Sequence, residues 1–379
     1  MNQRRKVVYV SGTRADFGLM QLTLQAIHAS PALELGVVAT GMHLDERYGC
    51  TVGEIEDAGL PVVARVPVSH VRSQGADTAR NIATMLSGFV DAFTEIVPDL
   101  ILILGDRGEM LAAAIAGGHM SIPVVHVHGG ERSGTIDEPV RHAISKLSHV
   151  HLVATEESAQ RLVKMGEAPE TVHIIGAPGL DGLTDLASFE KEALFAGLGL
   201  EQGKQTALLL YHPVLQEADE ADEQVEAAIR SLLDENFAVL ALKPNSDAGS
   251  AKVLGALERH SEQGDIRLLT HLRRDQFVSL LKHVDLLVGN SSSGIIEAAS
   301  FGTPVVNIGS RQHLRQRNRN VIDVAAEESA IARGLKLAQL MGRQYPANIY
   351  GDGNAGRRIV SILESLNLSG QLMNKVNVY

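Results

Sequence analysis

Tryptophan is absent from this 379-residue chain and aromatic residues make up only 4% of it, too few for a lectin-type surface on which sugars stack. The single cysteine, Cys50, excludes an intramolecular disulfide framework and a thiolate metal cluster, and makes the cytosol the expected compartment. Long apolar runs are missing. The stretch after Arg4, Arg5 and Lys6 is too short for a signal segment and has no small-residue cleavage site, so neither a secretory leader nor a membrane span is expected. Positive charge is in deficit: 34 Lys and Arg against 45 Asp and Glu give a formal net charge of −11. That balance argues against nucleic-acid and anionic-membrane partners, and an anionic ligand would need local arginines. The first strand-like run ends in Ser11-Gly12-Thr13-Arg14-Ala15-Asp16, which is not G-x-G-x-x-G, so a dinucleotide cofactor is not supported. No repeat or low-complexity tract is seen.

What is present is ample apolar material, 45% of residues, with 21% charged. At this length two domains are the default. Short β-branched runs alternate with helical stretches in the pattern of parallel βαβ units. In the first half strands are expected near 7–11, 35–40, 100–105, 124–128, 151–155 and 172–175, with 62–68 as a further candidate. Helices are expected over 17–30, 77–97, 107–118 and 139–148. The second half repeats this grammar at 206–211, 238–242, 266–269, 285–288 and 305–308. Residues 177–205 read as a join. The expected organisation is therefore a domain over 1–176, a second over 177–355, and an amphipathic segment at 356–366 leading a tail to 379 that packs back on the first. The fold class is α/β, two doubly wound sheets facing a cleft, with ligands outside the carboxyl ends of the strands.

Functional groups should then sit just after strands, and several do. The run Gly289-Asn290-Ser291-Ser292-Ser293-Gly294-Ile295-Ile296-Glu297 follows the strand at 285–288. A strand, a Gly/Ser turn and a helix start bring N–H groups and three hydroxyls to one point, which suits a diphosphate. Glu297, placed on the first helical turn, could accept two O–H bonds from a vicinal diol such as ribose. An ordinary βα turn with Ser as N-cap is the alternative. Gly105-Asp106-Arg107 closes another strand, Asp106 facing the crevice or capping the next helix. After 124–128 come Gly129-Gly130-Glu131 and Ser133-Gly134-Thr135-Ile136-Asp137-Glu138, an acidic cluster beside two histidines. His126 and His128 alternate with valines and are expected to point the same way. A metal site is one reading of this cluster, with helix capping by Asp137 or Glu138 as another. His212 closes the strand at 206–211, as a crevice group or a satisfied structural histidine. Lys243-Pro244-Asn245 closes the next strand. Arg14 and Arg311 lie where a phosphate or nucleotide could be met, although Arg14 could equally be a solvated surface residue.

These motifs together resemble the UDP-N-acetylglucosamine 2-epimerases of the hydrolysing kind, from the sialic acid and legionaminic acid pathway branch. The resemblance rests on residues 12–16, Thr40-Gly41-Met42-His43, Gly105-Asp106-Arg107, Gly129-Gly130-Glu131 with residues 133–137, and Arg141-His142-Ala143-Ile144-Ser145-Lys146. In the second half Pro244-Asn245-Ser246-Asp247-Ala248-Gly249-Ser250, residues 289–294 and Phe301-Gly302-Thr303-Pro304 extend it. It implies a glycosyltransferase-B-like pair of Rossmann-type domains and a metal-independent, cofactor-free conversion of UDP-GlcNAc and water to N-acetylmannosamine and UDP. It also implies Asp106, Asp137 and Glu131 in the acid–base set, with His212 near the diphosphate or the leaving oxygen. Arg14, Ser291 and Ser292 would hold phosphates, Glu297 the ribose, Arg311 the uracil side, and Asn245 would position substrate. Family members commonly carry a glutamate where this chain has His128. Either His128 takes over a base role, histidine being a residue type that exchanges protons near neutrality, or Glu131 reaches in. The alternatives are a UDP-N,N'-diacetylbacillosamine 2-epimerase of the same chemistry and a glycosyltransferase of the same fold. A homo-oligomer, dimer or tetramer, is expected.

Overall fold

In the computed structural model, residues 4–68, 75–201, 203–244, 249–368 and 370–378 are described. They form two compact units. The first comprises residues 1–131, 137–181 and 350–379; the second comprises 132–136 and 182–349.

The first unit is built on β1 (Arg5–Ser11), β2 (Leu33–Thr40), β3 (Val62–Val66), β4 (Leu100–Leu104), β5 (Val124–Val127), β6 (Val150–Val153) and β7 (Val172–Ile174). They form one parallel sheet in the order β3-β2-β1-β4-β5-β6-β7. β1 supplies both faces. Val7 and Tyr9 pack with Phe17, Met20, Leu24 and Ile27 of the helix Arg14–Ala29 and with Ile359 and Leu363 of the helix Ala355–Ser365. Val8 and Val10 pack on the other side with Met85, Phe89 and Phe93 of the helix Gly75–Ile96. Helices on both faces explain why Leu-Ile-Leu-Ile-Leu in β4 is buried throughout rather than alternating. Strand order reverses between β1 and β4, which is where a doubly wound sheet opens a crevice at its carboxyl edge.

The second unit follows the same logic with β8 (Thr206–Leu210), β9 (Ala238–Leu242), β10 (Ile266–Leu269), β11 (Leu286–Gly289), β12 (Val305–Ile308) and β13 (Val321–Val324). The order is β10-β9-β8-β11-β12-β13, all parallel, with its reversal between β8 and β11. β13 was not expected from sequence. It is an edge strand, Val-Ile-Asp-Val, of which no residue is fully buried, so its apolar signal is weak. The segment 177–205 contains the boundary between the units at 181/182, and its larger part belongs to the second. Its helix Lys191–Leu198 and the residues before it dock on the helix Arg274–His283: Phe189 N donates to Ser279 Oγ (3.2 Å) and Lys282 Nζ to Ala187 O (3.1 Å).

Candidate active site

At the reversal in the first unit, the turn after β1 is shaped by Asp16. This buried carboxylate accepts from Gly12 N (3.1 Å), Thr13 N (2.7 Å), Thr13 Oγ1 (2.9 Å) and the Ser11 hydroxyl. Burial pushes its carboxyl pKa up, against these bonds and the nearby His43. Thr13 and Asp16 form a reciprocal capping box that starts the helix at Arg14. Arg14 is not a solvated surface group: its Nε lies 3.0 Å from Glu54 Oε1, and it donates to Tyr48 O at 3.4 Å. An arriving phosphate would share this guanidinium with Glu54.

Across the reversal, Gly105 takes a left-handed turn (φ +83°) and Asp106 follows it. Asp106 Oδ2 is ion-paired with Arg141, whose guanidinium is 1% exposed, while the aspartate side chain is 24% exposed. Arg141 also donates to Glu131 O at 2.9 Å. A guanidinium buried this deeply must be paired, so Arg141 ties the turn after β4 to the turn after β5. It is presented by the helix Asp137–Leu147, whose first residue is the half-buried Asp137.

The two histidines meet different partners. β5 ends at Val127, and His128 adopts φ +64°, a left-handed backbone uncommon for a residue with a Cβ, so the pleat no longer sets its direction. His128 Nδ1 meets Glu131 Oε1 at 2.6 Å, with both side chains largely buried. His128 and Glu131, the two residues that could stand in for the family glutamate, are thus in contact with each other. His126 is fully buried. Its Nε2 donates to Gly105 O at 2.7 Å and its Nδ1 lies 3.0 Å from Ser145 Oγ. Burial pushes its pKa down to about 3, so the ring is a neutral strut under the Asp106 turn.

In the second unit, His212 follows β8 and its backbone is clamped by Asn290. His212 N donates to Asn290 Oδ1 (2.8 Å), and Asn290 Nδ2 donates to His212 O (2.8 Å). The carbonyl of Asn290 accepts from Arg311 Nη1 (3.1 Å) and Gln312 Nε2 (3.2 Å). Ser291 is the N-cap of the next helix, its hydroxyl accepting weakly from Ser293 N at 3.4 Å, and Ser292 is that helix's first residue. The helix spans only Ser292–Ile296. A dipole contribution is therefore small, and hydroxyls, N–H groups and Arg311 are what the turn can offer an anion. Glu297 is the C-cap of this short helix rather than a member of its first turn. It is 2% exposed, and its buried Oε1 is ion-paired with Arg274, so a diol would have to meet Oε2. Asn245 lies outside the described residues.

The structure thus assembles Asp106, His128 and Glu131 through Arg141, with Asp137 on the helix that carries that arginine. It assembles His212, Ser291, Ser292 and Arg311 around Asn290. The roles of Asp16, Arg141, Arg274 and Asn290 are not visible in the sequence. Only the capping-box spacing of Thr13 and Asp16 carried a local signal. Among the described residues, no group of three or more His, Cys, Asp or Glu side chains is arranged to hold a metal ion.

The two doubly wound sheets differ in what they carry: carboxylates and histidines at the strand ends of one, and a hydroxyl- and arginine-bearing turn on the other. The pattern of the family UDP-N-acetylglucosamine 2-epimerase matches residues 25–364. A relative from Legionella pneumophila, UDP-N,N'-diacetylbacillosamine 2-epimerase (hydrolyzing), is 46% identical over 375 residues, 99% of this chain and 100% of that one. UDP-N-acetylglucosamine 2-epimerase of Neisseria meningitidis is 33% identical over 365 residues, 96% of this chain and 95% of that one. A crystal structure of UDP-GlcNAc 2-epimerase from Neisseria meningitidis bound to UDP-GlcNAc shares the fold, with a TM-score of 0.79 at 20% identity, covering 94% of this chain and 99% of that one. The chain belongs to the UDP-N-acetylglucosamine 2-epimerase family, in its hydrolysing branch.

Proposed function

We propose that this enzyme hydrolyses and epimerises UDP-N,N'-diacetylbacillosamine, releasing UDP and 2,4-diacetamido-2,4,6-trideoxymannose. The observation that carries the choice of sugar is the 46% identity, over nearly the whole of both chains, to the Legionella relative of that name. UDP-GlcNAc, with N-acetylmannosamine as product, is the second reading and rests on the 33% identity to the Neisseria enzyme.

In either case the chemistry has two stages. The C1–O bond to UDP breaks, its electron pair leaving with the β-phosphate oxygen, while a base takes the C2 proton and a C1–C2 double bond forms. Water then adds, hydroxyl to C1 and a proton to C2 from the opposite face, which inverts C2. The C2 proton is only weakly acidic, so C–O cleavage must run ahead and leave C1 cation-like. Carboxylates serve this twice, as proton acceptors and as counter-charge. Asp106, Asp137 and the His128–Glu131 pair are assigned to these steps, the 2.6 Å contact of that pair allowing a proton to pass between them. His212 is assigned to the leaving oxygen; Arg14, Ser291 and Ser292 to the diphosphate; Glu297 to the ribose; Arg311 to the uracil side; and Asn245 to substrate placement. No cofactor or metal has a role. The one cysteine, Cys50, is exposed and free, which suits a cytosolic enzyme, and a homo-oligomer remains part of this reading.

Incubating the enzyme in heavy water with each UDP-sugar separately and following proton NMR tests both parts. Free 2,4-diacetamido-2,4,6-trideoxymannose with deuterium at C2, plus UDP, is expected from the first substrate. Product without deuterium, or an epimerised sugar still attached to UDP, would overturn the mechanism. Faster turnover of UDP-GlcNAc would overturn the choice of sugar alone.

A further inference from the structure

We propose that Asn290 is the positioning residue for His212, a role that rests on the catalytic assignment of His212 above. β11 runs so close to β8 that a Cβ on Gly289 would stand 2.0 Å from Leu210 O, and Gly289 adopts φ +130°. The ladder pairs Gly289 with Leu210 and ends there. The next residue, Asn290, keeps the backbone bond of its own N–H to Leu210 O at 3.0 Å. Two residues beyond Leu210, past the end of the β8–β11 ladder, the Asn290 side chain reaches the backbone of His212. Its amide oxygen accepts from His212 N and its amide nitrogen donates to His212 O, both at 2.8 Å. Asn290 is 1% exposed, so both bonds form away from water, where an unmet peptide group is costly.

The two functions of Asn290 are separable. Its side chain serves His212, whereas its carbonyl serves Arg311 and Gln312 at 3.1 and 3.2 Å. Truncating the side chain removes both bonds to the His212 backbone but leaves the carbonyl that seats Arg311. A residue that merely stabilises the fold would instead weaken turnover and UDP binding together, whether or not His212 is present.

The test is a double-mutant cycle of Asn290→Ala and His212→Ala, measuring kcat on the UDP-sugar the enzyme turns over and Kd for UDP by calorimetry. Asn290→Ala should lower kcat about 100-fold, the scale of a ~1 Å misplacement of a reacting group. Its Kd for UDP should stay within about twofold of wild type, because the Arg311 seat is a backbone carbonyl. In the His212→Ala background the same substitution should change kcat little. Losses that add in the double variant, or a kcat unaffected by Asn290→Ala while His212→Ala is crippled, would overturn the positioning role. Should His212→Ala itself turn over like wild type, the assignment of His212 has failed rather than the clamp geometry. If Asn290→Ala does not fold, Asn290→Asp keeps the volume but opposes a carboxylate oxygen to His212 O, and the same non-additivity is expected of it.

Discussion

Breaking the Arg141–Asp106 pair should cost different amounts depending on which partner is removed. Arg141 is the largest of the fully buried side chains among the described residues, and at 1% exposure water cannot take over its solvation. Asp106 keeps 24% of its side chain exposed. Removing one member of a fully buried ion pair typically costs ~3–5 kcal/mol, because the survivor is left charged and unpaired. Asp106→Ala leaves the guanidinium with the Glu131 carbonyl, so the full penalty of ~3–5 kcal/mol applies. Arg141→Met leaves a carboxylate that water can reach and refills most of the volume with an apolar chain, so roughly half that penalty, ~2 kcal/mol, is expected. The double variant removes both charges and should lose less than the sum of the singles. Urea unfolding at pH 7 measures all three. Arg141→Met proving more costly than Asp106→Ala, or strictly additive losses, would refute the reasoning. Turnover should fall differently: Asp106→Asn keeps the shape and one hydrogen-bond acceptor but loses the charge facing Arg141, so its stability cost should lie below that of Asp106→Ala while kcat drops by ~100-fold or more if the carboxylate acts on the sugar.

The buried Glu167 makes stability depend on acid. Burial alone would raise its pKa, but bonds from His151 (2.8 Å), Lys146 (2.7 Å) and Lys375 (2.6 Å) outweigh burial and hold it at about 2. A depressed carboxylate stabilises the fold above its unfolded pKa and loses that contribution as pH falls towards 2, so ~3 kcal/mol should disappear between about pH 5 and pH 2. Glu167→Gln should flatten this limb in urea melts taken across that range; an unchanged slope would show that the cluster does not act as described. For Glu297, substitution by Ala should weaken UDP binding ~10–100-fold, the range of a charge-assisted bond to a ribose hydroxyl. The same variant should hardly change binding of 2',3'-dideoxy-UDP. Equal losses for both ligands in calorimetry would reassign Glu297 to a structural partner of Arg274.

The parallel sheets were legible because each strand is a short apolar run ending in glycine or polar residues, a local signal that β4 and β8 carry in full. β13 was not legible, since at a sheet edge an aspartate and partial exposure dilute that signal. Strand-end residues such as Asp106, His212 and Ser291 were visible for the same reason. His128 shows the limit of periodicity. Alternation with valine predicts direction only while the backbone stays extended, and the chain leaves that state one residue earlier than the pattern suggests. Small residues continuing past Glu297 suggest a first helical turn there, but the α-helix spans only five residues and gives way to a tighter turn at Ala298–Phe301.

The residues hidden from sequence share a physical cause. A site at the carboxyl ends of parallel strands sits where the hydrogen-bond ladder stops, so the peptide groups just beyond it lack strand partners while still lying indoors. Side chains from distant positions must supply the missing bonds. His126 does so for Gly105 O across 21 residues, and Asn290 does so for both peptide groups of His212 across 78. No local pattern can reveal a pairing at that separation, which depends on which strands become neighbours. Strand order therefore comes first: once β4 is known to lie beside β5 and β8 beside β11, a buried polar residue at the end of one strand becomes the natural partner for the open peptide groups of the next. Buried His and Asn at such ends are, on this argument, a consequence of placing chemistry there, and their loss should harm turnover before it harms the sheet.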